Sequence, residues 1–219
     1  MPAFANKEKI DHIKKTLRYS LYLITHPLDG YWDLTHENRG SVAAANIIIF
    51  LALLTHLFAD QYSNPVIYGY VQLQYYNIYK VIAGFLAPIA IGTLANWGLT
   101  TLFDGKGTMK HIYMAIGYAY TPYVLLNLPC IFLSNVMTIE EGSFIYYAES
   151  VAAVWMGMLI VCAVMQIHDF TFGKTILTLI ATAVGMLVIV FVLLLFFSLI
   201  TDAVAYFVSL YKEISYRFY

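Results

Sequence analysis

The sequence predicts an all-α integral membrane protein: a bundle of five transmembrane helices, with an N-terminal amphipathic surface helix and an interfacial C-terminal helix. Three observations carry this. Five long apolar runs occupy roughly residues 41–60, 79–103, 111–134, 149–168 and 174–200, and a helix needs about 20 residues to cross a bilayer core. Of the 219 residues only 11% are charged, less than half the ~25% usual in soluble domains. The charges that remain gather between the runs. The organisation expected is a basic N-terminal segment, 1–40, followed by a five-span membrane domain, 41–219.

The first 25 residues read as an amphipathic helix. Ile10, Ile13, Leu17, Leu21 and Ile24 recur at helical spacing, as one apolar helix face requires. Lys7, Lys9, Lys14, Lys15 and Arg18 fill the other face. Such a helix is expected to lie on the membrane surface with its cations near anionic headgroups; a preformed partner site is the functional alternative. His26-Pro27 ends it, because proline disfavours a helical residue before it. Residues 27–40 read as a polar, turn-rich connection, with Tyr31 and Trp32 suited to the membrane interface.

Net charge is −1, yet Lys7, Lys9, Lys14, Lys15, Arg18 and Arg39 all precede the first span. That is a basic segment on a neutral protein, so nucleic acid is not an expected partner. No apolar run starts before residue 40, so the first span is expected to be retained as an anchor rather than cleaved as a leader. Orientation follows from Lys and Arg in the short loops. The 104–110 loop has Lys106 and Lys110 and the 169–175 loop has Lys174, whereas 61–78 and 135–148 have none. The alternation places the N-terminus in the cytoplasm and, after five spans, the C-terminus outside. Lys212 and Arg217 in the tail run against this rule.

Prolines interrupt the second and third spans at Pro88, Pro122 and Pro129, and kinks there need neighbours to satisfy the freed carbonyls. Small residues recur at four-residue steps: Gly84 and Gly92 around Pro88, Ala153 with Gly157, and Ala181 with Gly185. In lipid such faces let helices approach closely, so they are expected to make intramolecular helix contacts first and contacts between proteins second. Cys130 and Cys162 would sit ~14 Å apart in depth on antiparallel neighbours, too far for a disulfide. Beyond residue 200 the stripe Ala203, Phe207, Leu210, Ile214, Phe218 reads as a continuation of the last helix leaning onto the outer surface or docking on another membrane protein.

Chemistry-bearing residues are few. His56 and Asp60, one helical turn apart, lie at a depth similar to Lys80 and Glu149. Together they form a conceivable metal or proton site, but all four are at span ends, where an interfacial Asp60–Lys80 ion pair is the plainer expectation. No metal or other cofactor is expected. Asn46, Asn96 and Asn127 lie deeper and should find interhelical partners. Asp104-Gly105-Lys106-Gly107-Thr108 resembles a phosphate loop but lacks the upstream glycine and strand; a tight turn between helices explains it. The 61–79 loop is uncharged up to Tyr79 and rich in Tyr, which suits an aromatic belt. No catalytic pair stands out, so an enzyme is not expected.

Several short motifs occur in order: His26-Pro27; Glu37-Asn38-Arg39-Gly40-Ser41; Asn96-Trp97 followed by Thr101-Leu102-Phe103-Asp104-Gly105-Lys106-Gly107-Thr108; Tyr118-Ala119-Tyr120-Thr121-Pro122; and Ile167-His168-Asp169-Phe170. In that order the chain resembles the Yip-domain family of Ypt-interacting proteins, specifically its bacterial branch, from about residue 20 to the end. The resemblance implies a five-span helical fold with a cytoplasmic N-terminus in a bacterial cytoplasmic membrane. Eukaryotic relatives are linked to Rab-type GTPases, but the long N-terminal region and its Asp-Leu-Tyr-Gly-Pro motif are missing here, so a Rab-type GTPase is not the expected partner. Bacterial relatives are often found beside carbohydrate importers, which implies an accessory subunit.

The function expected is therefore a non-enzymatic accessory or scaffold subunit, bound to lipid bilayer and to another membrane complex such as the permeases of a carbohydrate ABC importer. A small transporter or channel, or a lipid-organising protein, is the alternative. An importer permease itself is not expected, because no cytoplasmic Glu-Ala-Ala loop is present to dock an ATPase.

Overall fold

A computed structural model describes residues 2–68 and 77–218. Among the described residues the chain is helical throughout: α1 Pro2–Thr25, α2 Pro27–His36, α3 Val42–Tyr62, α4 Pro65–Tyr68, α5 Ile78–Leu102, α6 Met109–Ala119, α7 Thr121–Ser134, α8 Gly142–His168 and α9 Phe172–Phe218. Five stretches are long and apolar enough to cross a bilayer: Val42–Tyr62, Ile78–Leu102, Met109–Ser134, Gly142–His168 and Phe172–Arg217. The protein is a multi-pass, all-helical membrane protein. One end of the bundle carries α1, α2 and the 103–108 loop and is called the basic end below; the other carries α4 and the 135–141 turn.

The amphipathic N-terminal segment ends where proline requires, at Thr25. It does not stand alone. Leu23 is fully buried, as are Tyr31 and Leu34 of α2, in one cluster with Ala44 and Ala45 of α3, Ala115 of α6 and Leu159 of α8. Burying a leucine outside the hydrocarbon is worth roughly 2 kcal/mol. Hydrogen bonds complete the dock. Tyr118 Oη accepts from the Ser41 N–H at 3.2 Å and donates to the Thr16 carbonyl at 3.1 Å. Thr16 Oγ1 lies 2.9 Å from Ser41 Oγ, and Ser41 itself caps α3 by accepting from Ala44 N–H. Tyr31 Oη donates to the Ala115 carbonyl at 3.3 Å. Burial pushes the Tyr31 phenol well up, so it stays a neutral donor.

Residues 27–36 are a helix, not the turn-rich connection expected from their composition. Pro27 opens α2 at a position where its missing N–H costs nothing. Gly30, Tyr31 and Leu34 form its buried face. At Gly30 a Cβ would come within 3.2 Å of Leu23 Cα, so α1 and α2 are in near-backbone contact there. Arg39 closes the segment with ion pairs to Asp33 and Glu37 at 3.0 and 2.6 Å.

The third span is divided at Tyr120, where Pro122 in the first turn of α7 prevents the α6 helix from continuing. By contrast α5 runs unbroken through Pro88. The fourth span begins at Gly142, seven residues before the apolar run expected at 149. Ile145 is buried there, and Tyr146 Oη donates to the Ile67 carbonyl at 2.6 Å. Both cysteines are free thiols.

A close crossing joins α3 and α6. A Cβ on Gly117 would sit 2.8 Å from Ala45 Cβ and 3.1 Å from Ala45 Cα. Packing of this kind drives helix association in lipid, where apolar side chains gain nothing from leaving water.

Candidate functional site

The 103–108 loop is built around an imidazole. Residues 101–108 leave α5 and enter α6. The Phe103 and Gly105 N–H groups both return to the Thr100 carbonyl, Asp104 adopts φ 57°, and Thr108 caps α6 by accepting from His111 N–H. Across the loop α8 ends at His168, and Asp169 takes φ 53° as its left-handed cap, its N–H on the Met165 carbonyl. His168 is 1% exposed. Its Nδ1 accepts the Gly107 N–H at 3.2 Å. A backbone N–H can only donate, so Nδ1 carries the lone pair and Nε2 the proton. Nε2 then donates to Asn96 Oδ1 at 3.3 Å. Asn96 Nδ2 donates to Thr182 Oγ1 at 3.0 Å, and Thr182 Oγ1 to the Thr178 carbonyl at 2.7 Å. One directed chain therefore links the loop, α8, α5 and α9.

The two glycines of this loop are the seat of the ring. A Cβ on Gly105 would lie 2.6 Å from His168 Nδ1, and one on Gly107 would lie 2.5 Å from Ile167 Cγ2 and 2.6 Å from His168 Cε1. The Gly-Lys-Gly sequence thus serves close packing rather than a phosphate. Lys106 lies outside, on Asp169 at 2.8 Å. That hydrogen bond holds the Asp169 carboxyl below the usual carboxylate range, with the Lys106 charge adding to it. Lys174 donates to the Phe103 carbonyl at 2.9 Å and stands 4.0 Å above the Phe170 ring. The arrangement clamps helix ends together. His168, Asn96 and Thr182 also line a cavity of about 230 Å³, walled otherwise by mostly aliphatic side chains of α5, α6, α8 and α9.

Of the four residues of the conceivable polar site, two share a cavity and two lie elsewhere. His56 stacks on Phe85 with ring centroids 5.5 Å apart. Asp60 and Glu149 line a cavity of about 430 Å³ with Tyr123, Asn127 and Ser63. Lys80 is exposed at the start of α5, and among the described residues no ion pair joins it to Asp60. No three or more His, Cys, Asp or Glu of the described residues come together as a metal site. The deep amides each have a partner: Asn46 Oδ1 accepts from Tyr113 Oη at 2.6 Å, Asn96 is in the chain above, and Asn127 donates to the Tyr123 carbonyl of its own helix.

The small residues divide by position. Gly92 and Gly185 lie between α5 and α9, where added Cβ atoms would stand 3.5 Å from Met186 Sδ and 3.0 Å from Leu99 Cδ1. Ala181 is half-buried beside them. Gly84 and Gly157 face open space, with nothing within 4 Å of an added Cβ, and Ala153 is exposed. Lys14, Lys15 and Arg18 are exposed on α1, whereas the Lys7 and Lys9 side chains lie outside the described residues.

A long uncovered surface belongs to α9. It is a single helix of 47 residues, about 70 Å long at 1.5 Å per residue. Among the described residues its main contacts are with α5 and α8. The pairs Phe103–Lys174, Asn96–Thr182 and Gly92–Met186 set an antiparallel register that brings Ile78 opposite about residue 200. The remaining residues run on for ~27 Å past the start of α5. No described side chain after Thr182 is buried, and Phe207, Tyr211 and Tyr216 are 66%, 74% and 83% exposed. The stripe continues the last span as the sequence suggested, in one helix from Phe172 to Phe218.

A model of the Yip1 domain matches residues 21–210 of this chain. No curated protein and no solved structure matches it.

Proposed function

The chain belongs to the Yip1-domain family, and on that premise we propose that it is a non-enzymatic accessory or scaffold subunit that docks on another integral membrane protein through α9. The observation that carries this reading is the bare helix. Residues 175–201 hold no charged side chain and span ~40 Å, more than a hydrocarbon core needs. The aromatic stretch after Asp202 therefore lies beyond the bilayer, with an apolar surface that water does not favour. A partner membrane protein with an extended domain on that side covers it. The first partner class to test is the permease pair of a carbohydrate ABC importer in a bacterial cytoplasmic membrane, with the N-terminus of this chain inside and its C-terminus outside.

The test is purification in gentle detergent with identification of co-eluting membrane proteins. A defined larger complex is expected from the wild type and not from Phe207→Asn/Leu210→Asn, which leaves the bundle untouched. A small transporter is the second reading, favoured by the cavity holding Asp60 and Glu149. Saturable solute uptake by the purified protein alone in liposomes, with no partner recovered, would replace the first reading by this one.

A further inference from the structure

Helix α1 crosses α3 and α7 and leaves a groove of about 350 Å³ between them. Its wall comes from Leu17 and Leu21 of α1, Ile48 and Leu51 of α3, and Val124 and Leu125 of α7. Leu21, Leu51 and Leu125 are 51%, 40% and 48% exposed, so the groove opens sideways. Its hydroxyl neighbours are already used: Ser20 Oγ donates to the Leu17 carbonyl and Thr121 Oγ1 to the Tyr118 carbonyl, each at 2.7 Å. Polarity at the groove is thus confined to Lys14 and Arg18, one helical turn apart and both exposed. Neither forms an ion pair among the described residues.

Depth gives the groove a direction. The Thr16–Ser41 contact fixes α1 at the cap of the first span. Ile48 and Leu51 then lie ~11 and ~15 Å along α3, about the thickness of one hydrocarbon leaflet. The groove has a doubly cationic mouth at the interface and an apolar floor one leaflet deep. We propose that it binds one anionic glycerophospholipid, with the headgroup phosphate on Lys14 and Arg18 and an acyl chain along Ile48, Leu51 and Leu125. A zwitterionic lipid would bring its own ammonium group up to the two cations, and a soluble anion would leave the floor empty. This site is independent of the α9 reading, since the two surfaces share no residue.

The full-length protein is exchanged into detergent with equal dioleoyl phosphatidylglycerol and dioleoyl phosphatidylcholine and its bound lipid counted by native mass spectrometry. One phosphatidylglycerol per chain is expected on the wild type. Lys14→Gln/Arg18→Gln should lose it by about 30-fold, the effect of removing two cations near an anionic headgroup. Lys14→Arg/Arg18→Lys and Lys15→Gln should keep it. Leu125→Trp, which fills the floor, should lose it with both cations intact; if that variant fails to fold, the exposed Lys14/Arg18 pair decides alone. Equal retention of the two lipids, or an equal loss in Lys15→Gln, would overturn the site. So would a dimer abolished by Lys14→Gln/Arg18→Gln with no lipid adduct, which would assign the groove to a second copy of the chain.

Discussion

Gly107 and His168, 61 residues apart in the chain, meet with the glycine N–H on the imidazole Nδ1 at 3.2 Å. There is no room for a methyl group between them. A Cβ at Gly107 would have to displace the ring or Ile167, and overpacking of this kind costs about 1–3 kcal/mol. Gly107→Ala should therefore lower the melting temperature in detergent by several degrees. Gly84→Ala and Gly157→Ala, whose Cβ atoms meet nothing within 4 Å, should leave it unchanged or raise it. Differential scanning fluorimetry of the three variants checks the contrast.

Asp169 provides a pH signature. Its carboxyl is held low chiefly by the Lys106 hydrogen bond. A depressed folded-state value contributes stability above the unfolded carboxylate pKa of ~3.9, and that contribution is lost as pH falls through the folded value. The side chains are 72% and 41% exposed for Lys106 and Asp169, so solvent limits the pair to ~1 kcal/mol or less. Asn tolerates the left-handed cap. Asp169→Asn should melt slightly below wild type at pH 7, and the two curves should converge in acid, below about pH 4. A difference that grows in acid would contradict this.

Tyr118 holds α1 to the bundle from below. Removing its hydroxyl strips the Ser41 N–H of its acceptor and Thr16 of a donor, a loss of about 1–3 kcal/mol for buried groups. Tyr118→Phe should loosen α1 before it unfolds the spans. Trypsin should then cut at Lys14, Lys15 or Arg18 faster than in the wild type, with the membrane core still resistant.

The orientation is tested by single cysteines at Thr108 and Ser143, both exposed and at opposite ends of the bundle. A membrane-impermeant maleimide on intact cells should label Ser143→Cys and not Thr108→Cys. Labelling of Thr108→Cys alone would invert the topology.

The spans were legible because lipid demands long charge-free runs, such as Val42 through Ala59 and Thr175 through Thr201. Helix α2 was not. Its segment is dense in turn formers, and what makes it helical is the docking of Tyr31 and Leu34 on distant elements. The start of α8 was hidden for a similar reason: Gly142 to Ala148 is aromatic and polar, and Ile145 and Tyr146 gain their partners only through the fold. The Gly105–Gly107 pair was visible as a turn, while its role needs His168 beside it. Spacing marked Gly84 and Gly157 in the same way as Gly92 and Gly185. It states which face a residue occupies, not what stands opposite. Gly117 escaped notice because its partner, Ala45, is on another helix.

The two ends of α9 are held very differently. Lys174 and Thr182 tie its first turns to the Phe103 carbonyl and to Asn96, while no described side chain after Thr182 is buried. The helix packs along α5 to about residue 200 and overhangs it by ~27 Å. A tilt of ~10° at that edge would move the tip by only ~5 Å. A partner that grips the overhang would therefore hold α9 from the side of the membrane opposite the histidine junction.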